Sequence, residues 1–360
     1  MEKIQTVLGS ISKDELGITL PHEHLLVDTT YRLNYRKPTD PFKISLVNAP
    51  VTLENLGEIR RDTTFSKDNH RLDDIRLAIE ELNRFKRAGG NSLVEMTLPG
   101  VGRNPSGLQF ISKETGVNIV MATGWYVSAS HPKFIRDKGV DELQVMIIRE
   151  LTEGVSHTDT KAGVIKAACS YPLQEAEEKV LSAAALAQRE TGAPLTFHPP
   201  CVDVKRRRNV KIADRVLDIL IENGADPKKI YVSHMDGSCT DYRITRLDLD
   251  YHRDLMEEYG VTLDYDTFGN ETFADGVYPG ASFPCDRLRT AAVVELCKEG
   301  YEKQLMLSQD IFMKIQLAKY GGYGYAHILK HIIPVLKLEG VTNKQIGTML
   351  IENPKSILSW

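Results

Sequence analysis

Short apolar runs rich in β-branched residues alternate with longer amphipathic stretches along most of the chain. The runs Ile18–His22, Ser92–Thr97, Val117–Ala122, Ala162–Ala168, Pro194–His198, Ile230–His234, Val261–Asp266 and Gln304–Ser308 read as strands. Between most of them lie segments of helical period, among them Arg71–Ala88, Leu173–Glu190, Lys211–Asn223 and Asp286–Lys298. Several are followed by Gly, as at Gly89-Gly90, Gly192 and Gly224, where a helix C-terminus favours a left-handed residue. Eight strands alternating with helices predict an α/β fold of the (β/α)8 TIM-barrel type. The alternative is a doubly wound open sheet, but no Gly-x-Gly-x-x-Gly follows a strand and no phosphate-binding P-loop is present. The one long irregular stretch, about Thr29 to Asn69, carries Pro38, Pro41 and Pro50 and is expected to form an ordered cap beside the first strand.

Length fits this reading, since 360 residues suit one barrel domain over positions 1–360. Composition is ordinary, with 42% hydrophobic and 26% charged residues, a net charge of −4 and a pI near 6.2. A mildly acidic chain has no electrostatic reason to hold nucleic acid or an anionic membrane. The five cysteines (Cys169, Cys201, Cys239, Cys285, Cys297) are odd in number and include no Cys-x-x-Cys, which argues against a disulfide framework or a thiolate zinc site. No apolar signal core or membrane-length run is seen, so a soluble cytoplasmic protein is expected.

Polar residues then stand out against the predicted strands. In Leu20-Pro21-His22-Glu23-His24 the two imidazoles are one residue apart, and alternate strand residues share a face, so both can reach one metal ion. Lys166 lies inside an apolar strand, His198 and His234 end later strands, and Asp310 follows the last. In a barrel such residues converge at the C-terminal ends of the strands. Imidazoles suit zinc and related divalent ions, and a carboxylate can bridge two of them. Lysine has no ligand oxygen, so Lys166 would need to be carboxylated by CO2, giving a carbamate bridge; burial favours this by lowering the amine's pKa.

The set His22-x-His24, Lys166, His198, His234 and Asp310, in this order on these strands, resembles the phosphotriesterase family of the amidohydrolase superfamily. The likeness covers essentially the whole chain. It is most marked toward the phosphotriesterase-related branch, through Cys169-Ser170-Tyr171-Pro172-Leu173, Leu263-Asp264-Tyr265-Asp266-Thr267-Phe268-Gly269-Asn270-Glu271 and Lys319-Tyr320-Gly321-Gly322-Tyr323-Gly324-Tyr325. The resemblance implies that His22, His24 and Asp310 hold one ion, that His198 and His234 hold the other, and that carboxylated Lys166 bridges them. The ions implied are two Zn2+, with Mn2+ or Co2+ as substitutes. Animal members of that branch carry Glu at the bridging position, whereas Lys166 stands here as in bacterial lactonases and phosphotriesterases.

The activity expected from this resemblance is hydrolysis of a carbonyl substrate by a bridging hydroxide, with a lactone or carboxylic ester, such as a phosphorylated sugar lactone, placed first. Amide cleavage of N-acyl amino or sulfonic acids such as N-acetyltaurine comes second. Phosphotriester hydrolysis and a non-catalytic ligand-binding barrel are the further alternatives. Asp310 is expected also to accept the proton of the attacking hydroxide. Tyr126 matches the tyrosine that family lactonases place over the metals beside the substrate carbonyl. The basic run Lys205-Arg206-Arg207-Arg208, with Arg287 and Arg289, suggests an anionic small-molecule substrate, Arg207, Arg208, Arg287 and Arg289 being the candidate contacts. Any protein partner is expected to be a second copy of the chain, as a homodimer.

Overall fold

The structure, a computed structural model, describes residues 2–35, 38–155, 158–203, 206, 208–271 and 283–360. Eight parallel strands form its centre: Thr19–Glu23 (β1), Ser92–Glu95 (β2), Asn118–Gly124 (β3), Val164–Ala168 (β4), Leu195–His198 (β5), Ile230–Val232 (β6), Thr262–Tyr265 (β7) and Leu305–Leu307 (β8). Each pairs with the next in sequence order, and all the pairings are parallel. Every candidate strand is therefore present, most of them slightly shortened. β1 and β4 are buried along their whole length. That is why they read as continuous rather than alternating apolar runs, since a parallel strand is covered on both faces.

Helices Ile75–Arg87 (α1), Pro105–Thr115 (α2), Val140–Thr152 (α3), Glu175–Thr191 (α4), Ala213–Glu222 (α5), Asp250–Tyr259 (α6) and Asp286–Glu299 (α7) fill the crossovers. The stretch expected as helix from Arg71 becomes helical only at Ile75, because Asp74 accepts the Arg76 and Leu77 N–H groups as an N-cap. Arg71 and Leu72 instead pair antiparallel with Val27 and Asp28. α1 then buries Leu77, Ala78, Leu82 and Phe85, the helical stripe that its period foretold. α4 ends at Gly192 in left-handed backbone, as its glycine implied.

The barrel closes without a ladder: among the described residues no backbone pairing joins β8 to β1. One backbone bond, from the Asp310 N–H to the His22 carbonyl at 3.2 Å, and several side chains make the seam. Ser308 Oγ accepts the His22 N–H at 3.1 Å and donates to the Glu23 carboxylate at 2.8 Å. Glu23, fully buried, also accepts the Gln309 and Ile311 N–H groups at 2.9 and 3.0 Å. Burial pushes its carboxyl up to about 8 against these three donors.

The proline-bearing stretch after β1 carries short helices at Thr30–Tyr35, Pro41–Leu46 and Leu56–Arg61. Val51, Ile59 and Phe65 pack there with Met313 and Ile315 as a satellite core, and Lys314 pairs with Asp68 at 2.6 Å. The cap is thus fastened to the loop after β8. No helix among the described residues is long and apolar enough to cross a membrane, and all five cysteines are free thiols.

Candidate metal centre

β1 delivers its two histidines through an irregularity. Its register against β2 slips by one residue between Leu20 and Glu23, around Pro21, which has no N–H to give to a ladder. His22 stays within the strand and His24 lies just past it, with ring centroids 5.8 Å apart. Lys166 on β4 is buried and donates to Ser233 Oγ at 3.1 Å. Opposite it in the register stands Gly124, whose missing side chain is required: a Cβ there would lie 2.2 Å from the Lys166 carbonyl oxygen. His198 ends β5, and His234 and Asp310 follow β6 and β8. The latter two adopt left-handed backbone, φ 61° and 46°, a strained state that concentrates at functional sites. All six ligand candidates and Tyr126 line one cleft at the C-terminal ends of the strands, with about 430 Å³ of space counting its open side.

Hydrogen bonds fix which ring nitrogens face inward. Thr97 Oγ1 donates to Glu95 at 2.6 Å, so at 2.8 Å it accepts from His24 Nδ1–H. Asp266 Oδ1 accepts from His234 Nδ1–H at 2.8 Å, and its Oδ2 lies 2.6 Å from His22 Nδ1 as a charge contact, so the carboxylate favours a proton on the Nδ1 of both rings. The Nε2 lone pairs of these three rings are left for a ligand, the arrangement in which a second carboxylate or hydroxyl orients a metal-binding imidazole. His22 Nε2 and His24 Nε2 then face Asp310 Oδ1 at 3.5 and 3.2 Å. Lone pairs opposed to a carboxylate repel one another unless a cation lies between. Protonation does not relieve this at His22, since burial and then Lys166 push it down to about 4. The donor set fits a divalent ion.

Electrostatics around the cluster agree. Burial, reinforced by His234 and Lys166, holds His198 neutral well below its usual range. At His234 burial is outweighed by Asp266, and the ring moves up. Asp266 and Asp310 are held below the ordinary carboxylate range: burial raises both, but the surrounding imidazoles prevail. Burial brings Lys166 down to about 8, opposed by Asp266, Asp310 and Asp264, so a fraction of its amine is unprotonated near neutral pH. His22, His24 and Asp310 form one candidate ligand group with its donor atoms within 4.8 Å; His22, His234 and Asp266 are equally close, but through the Nδ1 atoms that Asp266 orients.

A family model described as the phosphotriesterase family matches residues 2–358. The chain belongs to the phosphotriesterase family. It is 37% identical to the N-acetyltaurine hydrolase of Bos taurus over 362 residues, covering 99% of this chain and 98% of that protein. The Homo sapiens N-acetyltaurine hydrolase is 36% identical with the same coverage. Among solved structures, a resiniferatoxin-binding protein from Rhodobacter sphaeroides superposes with a TM-score of 0.89 at 35% identity, over 99% of this chain and 94% of the other. The organophosphorus hydrolase from Deinococcus radiodurans does so with 0.75 at 26% identity, over 99% and 96%. This phosphotriesterase-family chain is a hydrolase, and the enzymes of its family depend on a dinuclear metal centre.

The sequence overlooked Asp266, though it ends a predicted strand, where barrel chemistry gathers. It also overlooked Arg32, which lines the cleft, donates to Tyr126 Oη at 3.2 Å and stacks 5.0 Å above the Phe312 ring. Tyr126 Oη in turn lies 3.2 Å from His198 Nε2. The segment ending at Tyr325 earns its place by donating to the His24 carbonyl at 2.7 Å.

The expected anion contacts fare differently. Arg289 is buried and spent on carboxylates, 2.9 Å from both Asp236 and Asp286. Arg208 is exposed and donates to Tyr171 Oη at 2.8 Å, and Arg287 is exposed on α7. None of the three lines the cleft. Arg207 and Lys205 lie outside the described residues.

Proposed function

We propose that the protein is a dinuclear metal-dependent amidase that cleaves a small N-acyl amide with an anionic end, of the class to which N-acetyltaurine belongs. The observation carrying this reading is the near full-length identity of 36–37% to N-acetyltaurine hydrolases, joined to a cleft whose donor atoms suit divalent ions. It reverses the order expected from sequence, in which lactones came first. Lactone cleavage stays the second reading, favoured by the Tyr126 hydroxyl placed against His198.

His22, His24 and Asp310 would hold one ion, His198 and His234 the other, and Lys166 would bridge them once its free amine has added to CO2 and lost a proton. Zn2+ is our assignment, because neutral imidazoles dominate the set, with Mn2+ or Co2+ able to substitute. When bound, such ions acidify water and polarise a carbonyl. Asp310 takes the proton released on attack and passes it to the leaving amine, which departs poorly as an anion. The Tyr126 hydroxyl, which burial pushes beyond the usual phenol range, stays protonated and orients the acyl end by donating a hydrogen bond. A compartment such as the cytoplasm suits the free thiols. The test is hydrolysis by metal-reconstituted protein of N-acetyltaurine, N-acetyl-β-alanine and a panel of lactones. We expect acetate release from the amides with the higher kcat/KM. Turnover confined to lactones would overturn the reading.

A further inference from the structure

Of the side chains on the cleft wall among the described residues, only Arg32 is permanently cationic. Its guanidinium donates to Tyr126 Oη at 3.2 Å and lies over the Phe312 ring. Tyr31 also stabilises it, and Asp310 acts on it from farther off, but among the described residues no carboxylate lies within ion-pair distance, whereas Arg103 is locked to Glu150 at 2.6 Å and Arg289 to Asp236 and Asp286. Keeping a partly buried guanidinium without an anion is costly, and that cost is recovered when an anion arrives. The position is defined relative to the ligands as well. A single phenol oxygen, that of Tyr126, touches both Arg32 Nη2 and the His198 ring. Val27, Leu98, Val101 and Phe312 supply apolar wall to the same cleft.

We infer that Arg32 binds the anionic terminus of the substrate, a sulfonate or carboxylate, and so selects amides whose anion stands a short alkyl linker from the scissile bond. This deepens the amidase reading and rests on it. The planar fork of guanidinium donors matches two oxygens of such an anion. Arg32 Nη2 and His198 Nε2 each lie 3.2 Å from the Tyr126 oxygen, so they stand within about 6.4 Å of each other and leave room for only a short linker. The anion-binding role expected of Arg208, Arg287 and Arg289 thus falls to one arginine of the cap.

The experiment compares two substrate pairs, each an anion and its neutral counterpart: N-acetyltaurine with N-ethylacetamide, and a carboxylated with an uncharged γ-lactone. In Arg32→Met the anionic-to-neutral ratio of kcat/KM should fall by about 10- to 100-fold, the worth of a hydrogen bond to a charged group. Arg32→Lys should recover part of it. The inhibition constant of ethanesulfonate, which has no scissile bond, should rise by a similar factor. An unchanged ratio and unchanged inhibition would overturn the assignment. If Arg32→Met does not fold, as judged by circular dichroism, Arg32→Gln and Arg32→Lys decide by the same ratio. Should the wild type cleave neither amide, the amidase reading fails while the lactone pair still measures the ratio, so the two failures are distinguishable.

Discussion

His22 and His24 turn their Nε2 atoms toward Asp310, and two different groups hold them there: Asp266 behind His22 and Thr97 behind His24. Removing the group behind the ring should therefore weaken metal binding without removing a ligand. For Asp266→Asn we expect metal affinity, measured by competition with a chelator, to fall by about 10- to 100-fold while the circular dichroism is retained. Affinity equal to wild type would mean that Asp266 does not orient the rings. Asp310→Asn keeps an oxygen of similar shape but is a far poorer base. Metal content by elemental analysis should largely persist and kcat should drop by about 10²- to 10⁴-fold; a near wild-type kcat would move proton transfer to another group. The six ligand candidates were legible because an ionisable residue at the end of an apolar run is conspicuous. Asp266 hid as an ordinary strand-end acid. Arg32 hid in an aperiodic, proline-bearing stretch, where nothing in the letters says which way a side chain turns. Of the basic run at 205–208, Arg208 lies exposed and off the cleft, since adjacent basic residues cannot all face one way.

Elements were easier to read than their joints. Two-sided burial writes a parallel strand as an unbroken apolar run, and the eight runs gave the eight strands. Their pairing at the seam was not legible, because Glu23 looks in sequence like a spacer between two histidines. In the structure it receives Ser308, Gln309 and Ile311 and ties the first strand to the segment after the last. Above about pH 8, where Glu23 is ionised, Glu23→Gln puts an amide NH2 where two acceptor oxygens serve three donors. A buried donor left unpaired costs about 1–3 kcal/mol. The variant should therefore show a lower denaturant midpoint with an unchanged m-value, and an unaltered midpoint would show the seam to be held by other contacts.

At the scale of the molecule, stability should track both metal and protons. A ligand that binds only the folded state stabilises by mass action, so chelation should lower Tm in proportion to the affinity lost, and Zn2+ should restore it. Independence of Tm from chelator would contradict a resident metal. His22 and His70 are pushed down to about 4 and His252 to about 3, each chiefly by burial, against an ordinary value of 6.5. A histidine with a depressed folded-state pKa contributes fully above 6.5. That contribution is lost as pH falls toward 4 and then 3, by about 1.4 kcal/mol per unit for each such ring. His252→Gln, distant from the ligand set, should make the acid limb of the stability profile shallower; an identical limb would exclude this ring as a contributor.

The seam also sets an order of events. Ser308 and His22 stand 286 positions apart, yet they meet where both chain halves contribute ligand candidates. Contacts between such distant positions close late, because loop closure costs entropy before any contact rewards it. A refolding chain should regain its helical signal before it regains high-affinity metal, and a ribosome-bound chain lacking its last strand should have no complete centre to fill. Metal uptake thereby becomes a clock for ring closure: the lag between the two signals measures how long the barrel stays open.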